Sequence, residues 1–153
     1  MGFKRPESAL VVIYDEEGKV LVMQRNDDPD FWQSVTGTME SDEVPIQTAA
    51  REVKEETSIN IAALNLQLQD CRRVNQYEIR AMWLHKYPAG TKYNTEHVFT
   101  LQVPKGTDVA LTEHSAYQWL KKADAVAKVW SPTNKEAIAD FVPEKDLSSV
   151  QVN

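Results

Sequence analysis

One cysteine, Cys71, in 153 residues excludes a disulfide framework or a CxxC zinc site within the chain; Cys71 reads as a buried free thiol. Glycine is nearly as scarce. Gly2, Gly18, Gly37, Gly90 and Gly106 are too scattered for a P-loop or a dinucleotide fingerprint. The three histidines, His85, His97 and His114, make no short metal-ligand pattern and read as structural. Long apolar runs are missing too. Nothing approaches the ~18 apolar residues of a membrane span, and the apolar part of MGFKRPESALVVIY is too short for a signal peptide. The expectation is a cytoplasmic protein with no membrane partner. An excess of basic residues is also absent: net charge is −6 and the pI is near 5.1. That argues against nucleic acid as a partner, and the four tryptophans lack a base-stacking context. It leaves room for a small phosphate-bearing ligand, since a cation can bridge acid to phosphate.

What is present is an ordinary globular composition, 42% hydrophobic and 26% charged. The length suits one domain with a real core. The reading is a single domain over residues 1–143 and a polar C-terminal tail over 144–153, monomeric or weakly oligomeric. ALVVIY (9–14) and VLVMQR (20–25) flank DEEGK as a hairpin. DDPDFWQSVTGTME follows as a loop, and residues 45–57 as a helix. LNLQLQDCRRV, EIRAMWLHKY and HVFTLQV alternate as strands, with PAGTKYNTE a loop before the last. A short strand near Tyr117–Leu120 precedes a short helix. Ser131 and Pro132 then suit the N-cap and first position of a final helix, with Ala137, Ile138 and Phe141 on its apolar face. The expected fold is α/β, a mixed sheet with helices on both faces.

GTMESDEVPIQTAAREVKEETSI, residues 37–59, carries six carboxylates. At 100° per residue, Ile46, Ala49, Ala50 and Val53 share the face that should meet the sheet. Glu52, Glu55 and Glu56 fall on another arc, near a helix end that is partially negative and prefers cations. Neighbours at i,i+3 and i,i+4 repel by about 0.2–0.5 kcal/mol per pair. Two readings fit: a solvated face partly offset by Arg51 and Lys54, or a site that holds a divalent cation through hard oxygen ligands.

The stretch resembles the Nudix box, G-x5-E-x7-R-E-U-x-E-E-x-G-U with U aliphatic. Gly37, Glu43, Arg51, Glu52, Val53, Glu55, Glu56 and Ile59 match in register; Ser58 stands where the pattern has glycine. The resemblance implies a Nudix-type α/β/α sandwich that hydrolyses a nucleoside diphosphate linked to another moiety, with Mg²⁺ or Mn²⁺. It implies Glu52 and Glu56 as metal ligands and Glu55 as ligand or proton acceptor. Arg51 is expected to orient a glutamate through a forked ion pair. Gly37 and Glu43 are expected to be structural, Glu43 by tying the loop to the helix. Ser58 bears on the cap of the helix, not on the carboxylates.

The flanking stretches KRPES, RNDDPDFWQSVTG, NTEHVF and TEHSAYQWL resemble a bacterial branch of the family. Its substrate is 7,8-dihydroneopterin triphosphate, cleaved to the monophosphate and pyrophosphate in folate synthesis. By that resemblance Glu113 is an additional ligand or general base, with His114 the weaker candidate. Lys4 and Arg25 would neutralise the triphosphate and Thr36 would donate to it. Tyr77, Phe31 and Trp32 are candidates for a wall against the flat ring, with core packing the equal alternative, and Ser131 for a ligand contact beside its reading as an N-cap. Two rivals remain: a pyrophosphohydrolase of deoxynucleoside triphosphates, and a Nudix-shaped binding or regulatory module without turnover.

Overall fold

The computed structural model describes residues 2–144, so the tail from residue 145 onward lies outside the described residues. Among the described residues seven strands form one sheet: β1 (Glu7–Asp15), β2 (Val20–Arg25), β3 (Trp32–Gln33), β4 (Val35–Thr38), β5 (Leu68–Glu78), β6 (Tyr93–Val103) and β7 (His114–Leu120). The main path runs β3-β2-β1-β6-β5, with β4 on β1 and β7 on β2. β1 and β6 run parallel and the other pairs antiparallel, so the sheet is mixed. Residues Ala9 to Ile13 of β1 are all buried, as expected of a strand covered on both faces. Alternate side chains feed two cores. Val11 and Ile13 meet Ala49 and Val53 of α1 (Pro45–Thr57). Leu10 and Val12 meet Ala125 of α2 (Lys122–Lys128) and Ala137 and Ile138 of α3 (Pro132–Phe141). This is the expected α/β/α layering.

Several local expectations change. The segment read as a loop over residues 27–40 contains β3 and β4, and β4 pairs Val35–Thr38 with Val11–Ser8 of β1. Ile46, expected on the sheet-facing side of α1, is 47% exposed. β5 begins at Leu68, after a turn over residues 61–65. EIRAMWLHKY is no strand beyond Glu78. Residues Ala81–Lys86 form a 3₁₀ turn held by Trp83 N–H to Arg80 O at 2.8 Å and Tyr87 N–H to Leu84 O at 3.1 Å. Met82 and Leu84 point out to solvent. Conversely β6 starts inside the expected loop, at Tyr93. Its first inward residues are Asn94 and Glu96, both buried, so polar side chains stand where a strand pattern would show apolar ones.

Candidate active site

A cleft of about 1030 Å³ opens where β4, α1, the leading segment of β1, the 3₁₀ turn and the loop before β7 meet. α1 enters it through a tight loop. Pro45 takes the first helical position, and the Gln47 side chain accepts from the Val44 amide at 3.0 Å. Glu43 accepts from the Glu40 amide and from the Thr48 hydroxyl, each at 2.8 Å. Arg51 grips Glu43 with two parallel bonds, Nε to Oε2 at 2.6 Å and Nη2 to Oε1 at 2.8 Å. It also donates to Thr38 O at 3.0 Å and to Glu55 at 3.2 Å. This fork holds Glu43 down to about 2. Arg51 therefore braces loop, strand and helix together.

The helix carboxylates differ in depth. Glu55 is exposed, Glu52 is half-buried and Glu56 is 4% exposed. Burial first, then the Glu52 charge, pushes Glu56 up to about 9; burial first, then its bond with Glu55, raises Glu52. Glu113 stands in the same cleft and adds to the repulsion on both. The backbone of Thr36 donates to Glu56, yet its Oε1 has no hydrogen-bond partner among the described residues. His114 lies 4.0 Å away. It is held by Gln33 at 3.1 Å, and burial followed by the Arg25 charge lowers its pKa.

Gly37 explains how Glu52 reaches its place. A Cβ at Gly37 would overlap the Glu52 carboxyl, and Gly37 does not have positive φ. The glycine is needed for space, not for backbone freedom. At the other end of α1, Ser58 adopts the left-handed cap at φ 65°, the conformation that usually selects glycine. Its hydroxyl donates to Ala110 O at 2.9 Å.

Cations occupy the facing wall. Lys4 and Arg25 line the cleft with Lys86, which the sequence reading missed. Burial, then Lys86, lowers the Lys4 pKa, while Glu52 and Glu113 work the other way. Arg25 is tied bidentately to Asp27 at 2.8 and 2.7 Å and lies over Phe31 and Trp83. Thr36 lines the cleft; Tyr77 and Ser131 do not. Tyr77 packs on the far face, where its hydroxyl accepts from Asn94 at 3.0 Å and burial pushes it up to about 12. Ser131 precedes α3 and pairs with Thr133 at 3.1 Å rather than capping through its side chain. Phe31 and Trp32 are buried. Phe31 stacks on Trp130 at 4.8 Å, and Trp32 belongs to the α2/α3 core. Of the aromatics, Phe3, Trp83 and Tyr87 line the cleft, and the last two sat in a segment misread as a strand.

The NUDIX domain family matches residues 4–141. The chain belongs to the Nudix family. Over 141 residues it is 48% identical to the dihydroneopterin triphosphate diphosphatase of Escherichia coli (strain K12), covering 92% of this chain and 94% of that one. The enzyme of the same name from Haemophilus influenzae is 41% identical over 143 residues, covering 93% and 90%. The solved structure of the E. coli dihydroneopterin triphosphate pyrophosphohydrolase superposes with a TM-score of 0.88 at 47% identity, covering 93% of this chain and 98% of that one. Nudix hydrolases generally use divalent metal ions. Among the described residues no three side chains form a ready-made metal cage. The donor set nevertheless fits a hard divalent cation: Glu52, Glu55, Glu56 and Glu113 all line the cleft, Glu56 keeps an unpartnered oxygen, and the nearby Arg51 guanidinium is already committed to Glu43.

Proposed function

We propose that this Nudix protein hydrolyses 7,8-dihydroneopterin triphosphate to the monophosphate and pyrophosphate, with Mg²⁺ as its metal and Mn²⁺ as a substitute. One observation carries the chemistry: buried, mutually repelling carboxylates on one wall of a cleft whose other wall is cationic. Relatives named for this substrate across more than nine-tenths of the chain support its identity. Glu52, Glu56 and Glu113 would hold the cation, with Glu55 at the exposed rim. The bound cation supplies charge screening for the phosphates and a lowered pKa for an attacking water.

The chain's own residues do the rest. Lys4, Arg25 and Lys86 neutralise the triphosphate oxygens, which a net-acidic protein must do locally. Thr36, which lines the cleft, orients the phosphate chain. Arg51 is a positioning residue: its fork on Glu43 fixes the loop against which Glu52 and Glu55 stand. A carboxylate, Glu113 in our assignment, takes the proton as water oxygen bonds to phosphorus and the phosphoanhydride bond breaks. Pyrophosphate leaves with the bond's electron pair. The test is pyrophosphate release across dihydroneopterin triphosphate, dATP and dGTP. The highest kcat/KM should fall on the pterin. Equal efficiency on dATP would indicate a nucleotide-pool enzyme, and no release from any would indicate a binding module.

A further inference from the structure

The cleft has an aromatic end that the hydrolytic chemistry does not use. Phe3, Trp83 and Tyr87 line it, and the backbone brings their segments together. The Lys4 amide donates to Lys86 O at 2.7 Å. That bond ties the chain just after Phe3 to the chain just before Tyr87. The 3₁₀ turn Ala81–Lys86 is pinned ahead of its start as well, by Ile79 N–H to Lys92 O at 2.9 Å. Trp83 is thus carried on an anchored turn. Among the described residues it is also the one apolar side chain of that turn lining the cleft; Met82 and Leu84 are exposed elsewhere.

Trp83 is half-buried. Phe31 lies against it, with ring centroids 6.2 Å apart at 51°. The guanidinium groups of Arg25 and Arg80 sit 5.1 and 4.8 Å from its ring. Arg80 is shared with Trp130, at 4.7 Å, and Trp130 stacks on Phe31. Such contacts hold an indole in one orientation, and the surface they leave uncovered lines the cleft.

The place of Trp83 along the cleft suits the organic group of a triphosphate. Arg25, a phosphate-facing cation, touches the indole directly, and Lys86 Nζ lies 5.9 Å from it. Lys4 is within electrostatic reach of Lys86 and Arg25, and also of Glu52 and Glu113. Cations therefore connect the carboxylate wall to the aromatic end. At about 1030 Å³ the cleft is at the upper end of the size range of small-molecule sites, with room for a ring beyond the phosphate chain.

We propose that Trp83 is the ring-binding residue of this cleft: the flat ring of the substrate packs on its indole, beside Phe3 and Tyr87. This rests on the pterin triphosphate reading above for the identity of the ring. Packing on an indole accepts many rings, because each has a π face. Trp83 thus supplies affinity for a ring at this end and does not by itself choose pterin over purine.

The experiment measures kcat and KM on dihydroneopterin triphosphate and on dATP, and the inhibition constant of tripolyphosphate, a phosphate chain with no ring. It compares the wild type, Trp83→Ala and Trp83→Phe, with thermal melting as the fold check. Trp83→Ala should raise KM about tenfold on both ringed substrates, as loss of one base–aromatic contact implies, and leave kcat and the tripolyphosphate constant within about twofold. Trp83→Phe, which keeps an aromatic face, should bring KM back to within about threefold. Partial unfolding lowers the active fraction but not KM or the inhibition constant, so their ratio reads the contact even in a weakened variant. An equal rise in both would mark Trp83 as a support for Arg25 and overturn the proposal, as would an unchanged KM in Trp83→Ala. If the wild type prefers dATP to the pterin, yet Trp83→Ala raises KM on dATP and spares tripolyphosphate, the substrate reading fails and the role of Trp83 stands.

Discussion

Replacing Gly37 with alanine isolates the placement of one carboxylate from the fold. The backbone at Gly37 suits any residue, because its φ is not positive. The added methyl instead occupies the space of the Glu52 carboxyl and its Cγ. Strand β4 is held by four register pairs with β1 and cannot give way cheaply, whereas Glu52 has three side-chain torsions. The side chain should turn out toward solvent. Holding a torsion off its rotamer costs about 0.5–1.5 kcal/mol. Releasing a carboxylate whose pKa is raised by burial returns an amount of the same order. The melting temperature should move by no more than about 3 °C, the shift that ~1 kcal/mol produces in a domain of this size. Turnover should not survive so well. Losing a metal-binding carboxylate should lower kcat by about 10²–10⁴-fold. Gly37→Ala should therefore be nearly as stable as the wild type and as inactive as Glu52→Gln. The double variant should be no worse than either single one, because both remove the same group. The assay is steady-state pyrophosphate release with saturating Mg²⁺ beside thermal melting. Near-normal kcat in Gly37→Ala would refute the argument, as would a double variant whose losses multiply.

Glu56→Gln should keep the fold and lose most activity, since an amide is a poorer ligand for a hard cation; an unchanged kcat would remove Glu56 from the metal set. Glu113→Gln should lower kcat by about 10²-fold with an unaltered metal-free melt. If His114→Ala loses turnover while Glu113→Gln retains it, the proton acceptor is elsewhere. Mg²⁺ at about 100 times its Kd should raise stability over EDTA by about 2.7 kcal/mol in wild type and by clearly less in Glu56→Gln, read by differential scanning calorimetry. Glu43 has a folded-state pKa lowered to about 2 by Arg51 from the usual 4.5. Its contribution is fully present above the ordinary glutamate range and lost as pH falls through about 2. Glu43→Gln should thus cost about 1–2 kcal/mol at neutral pH after solvent screening, a gap that closes toward pH 2 in urea titrations.

Legibility in the sequence followed the kind of signal each residue carries. β1, β2 and α1 were readable because their apolar periods are uninterrupted, and the match to the Nudix box fixed the register of Glu43, Arg51 and the helix carboxylates. The start of β6 was not, because Asn94 and Glu96 face inward and break the apolar alternation. The segment over residues 79–87 misled in the other direction. Ile79, Ala81 and Trp83 alternate by accident of a 3₁₀ turn, in which Trp83 is held by the guanidinium groups of Arg25 and Arg80, at 5.1 and 4.8 Å from its ring. Lys86 and Tyr87 were missed with it. Tyr77 was offered as an aromatic wall and Ser131 as an N-cap or ligand contact, and neither lines the cleft: Tyr77 accepts from Asn94 and Ser131 pairs with Thr133.

The arc of Glu52, Glu55 and Glu56 was drawn as one acidic face, but a helical wheel has no depth. α1 packs Ala49 and Val53 onto the sheet, so the arc straddles the boundary between protein and solvent. One residue of it, Glu56, goes under. Glu52 fits only because Gly37 leaves it room, and Glu55 stays out. The charges at the helix end are therefore three different groups, not a repeated one. The buried member bears the desolvation and keeps an unpartnered oxygen. The middle member is set by a glycine on a neighbouring strand. The exposed member is steadied by Arg51 at 3.2 Å. A solvated face would have no use for the first two arrangements, since water already satisfies a carboxylate that is left outside. Their cost is explained once a cation is placed among them.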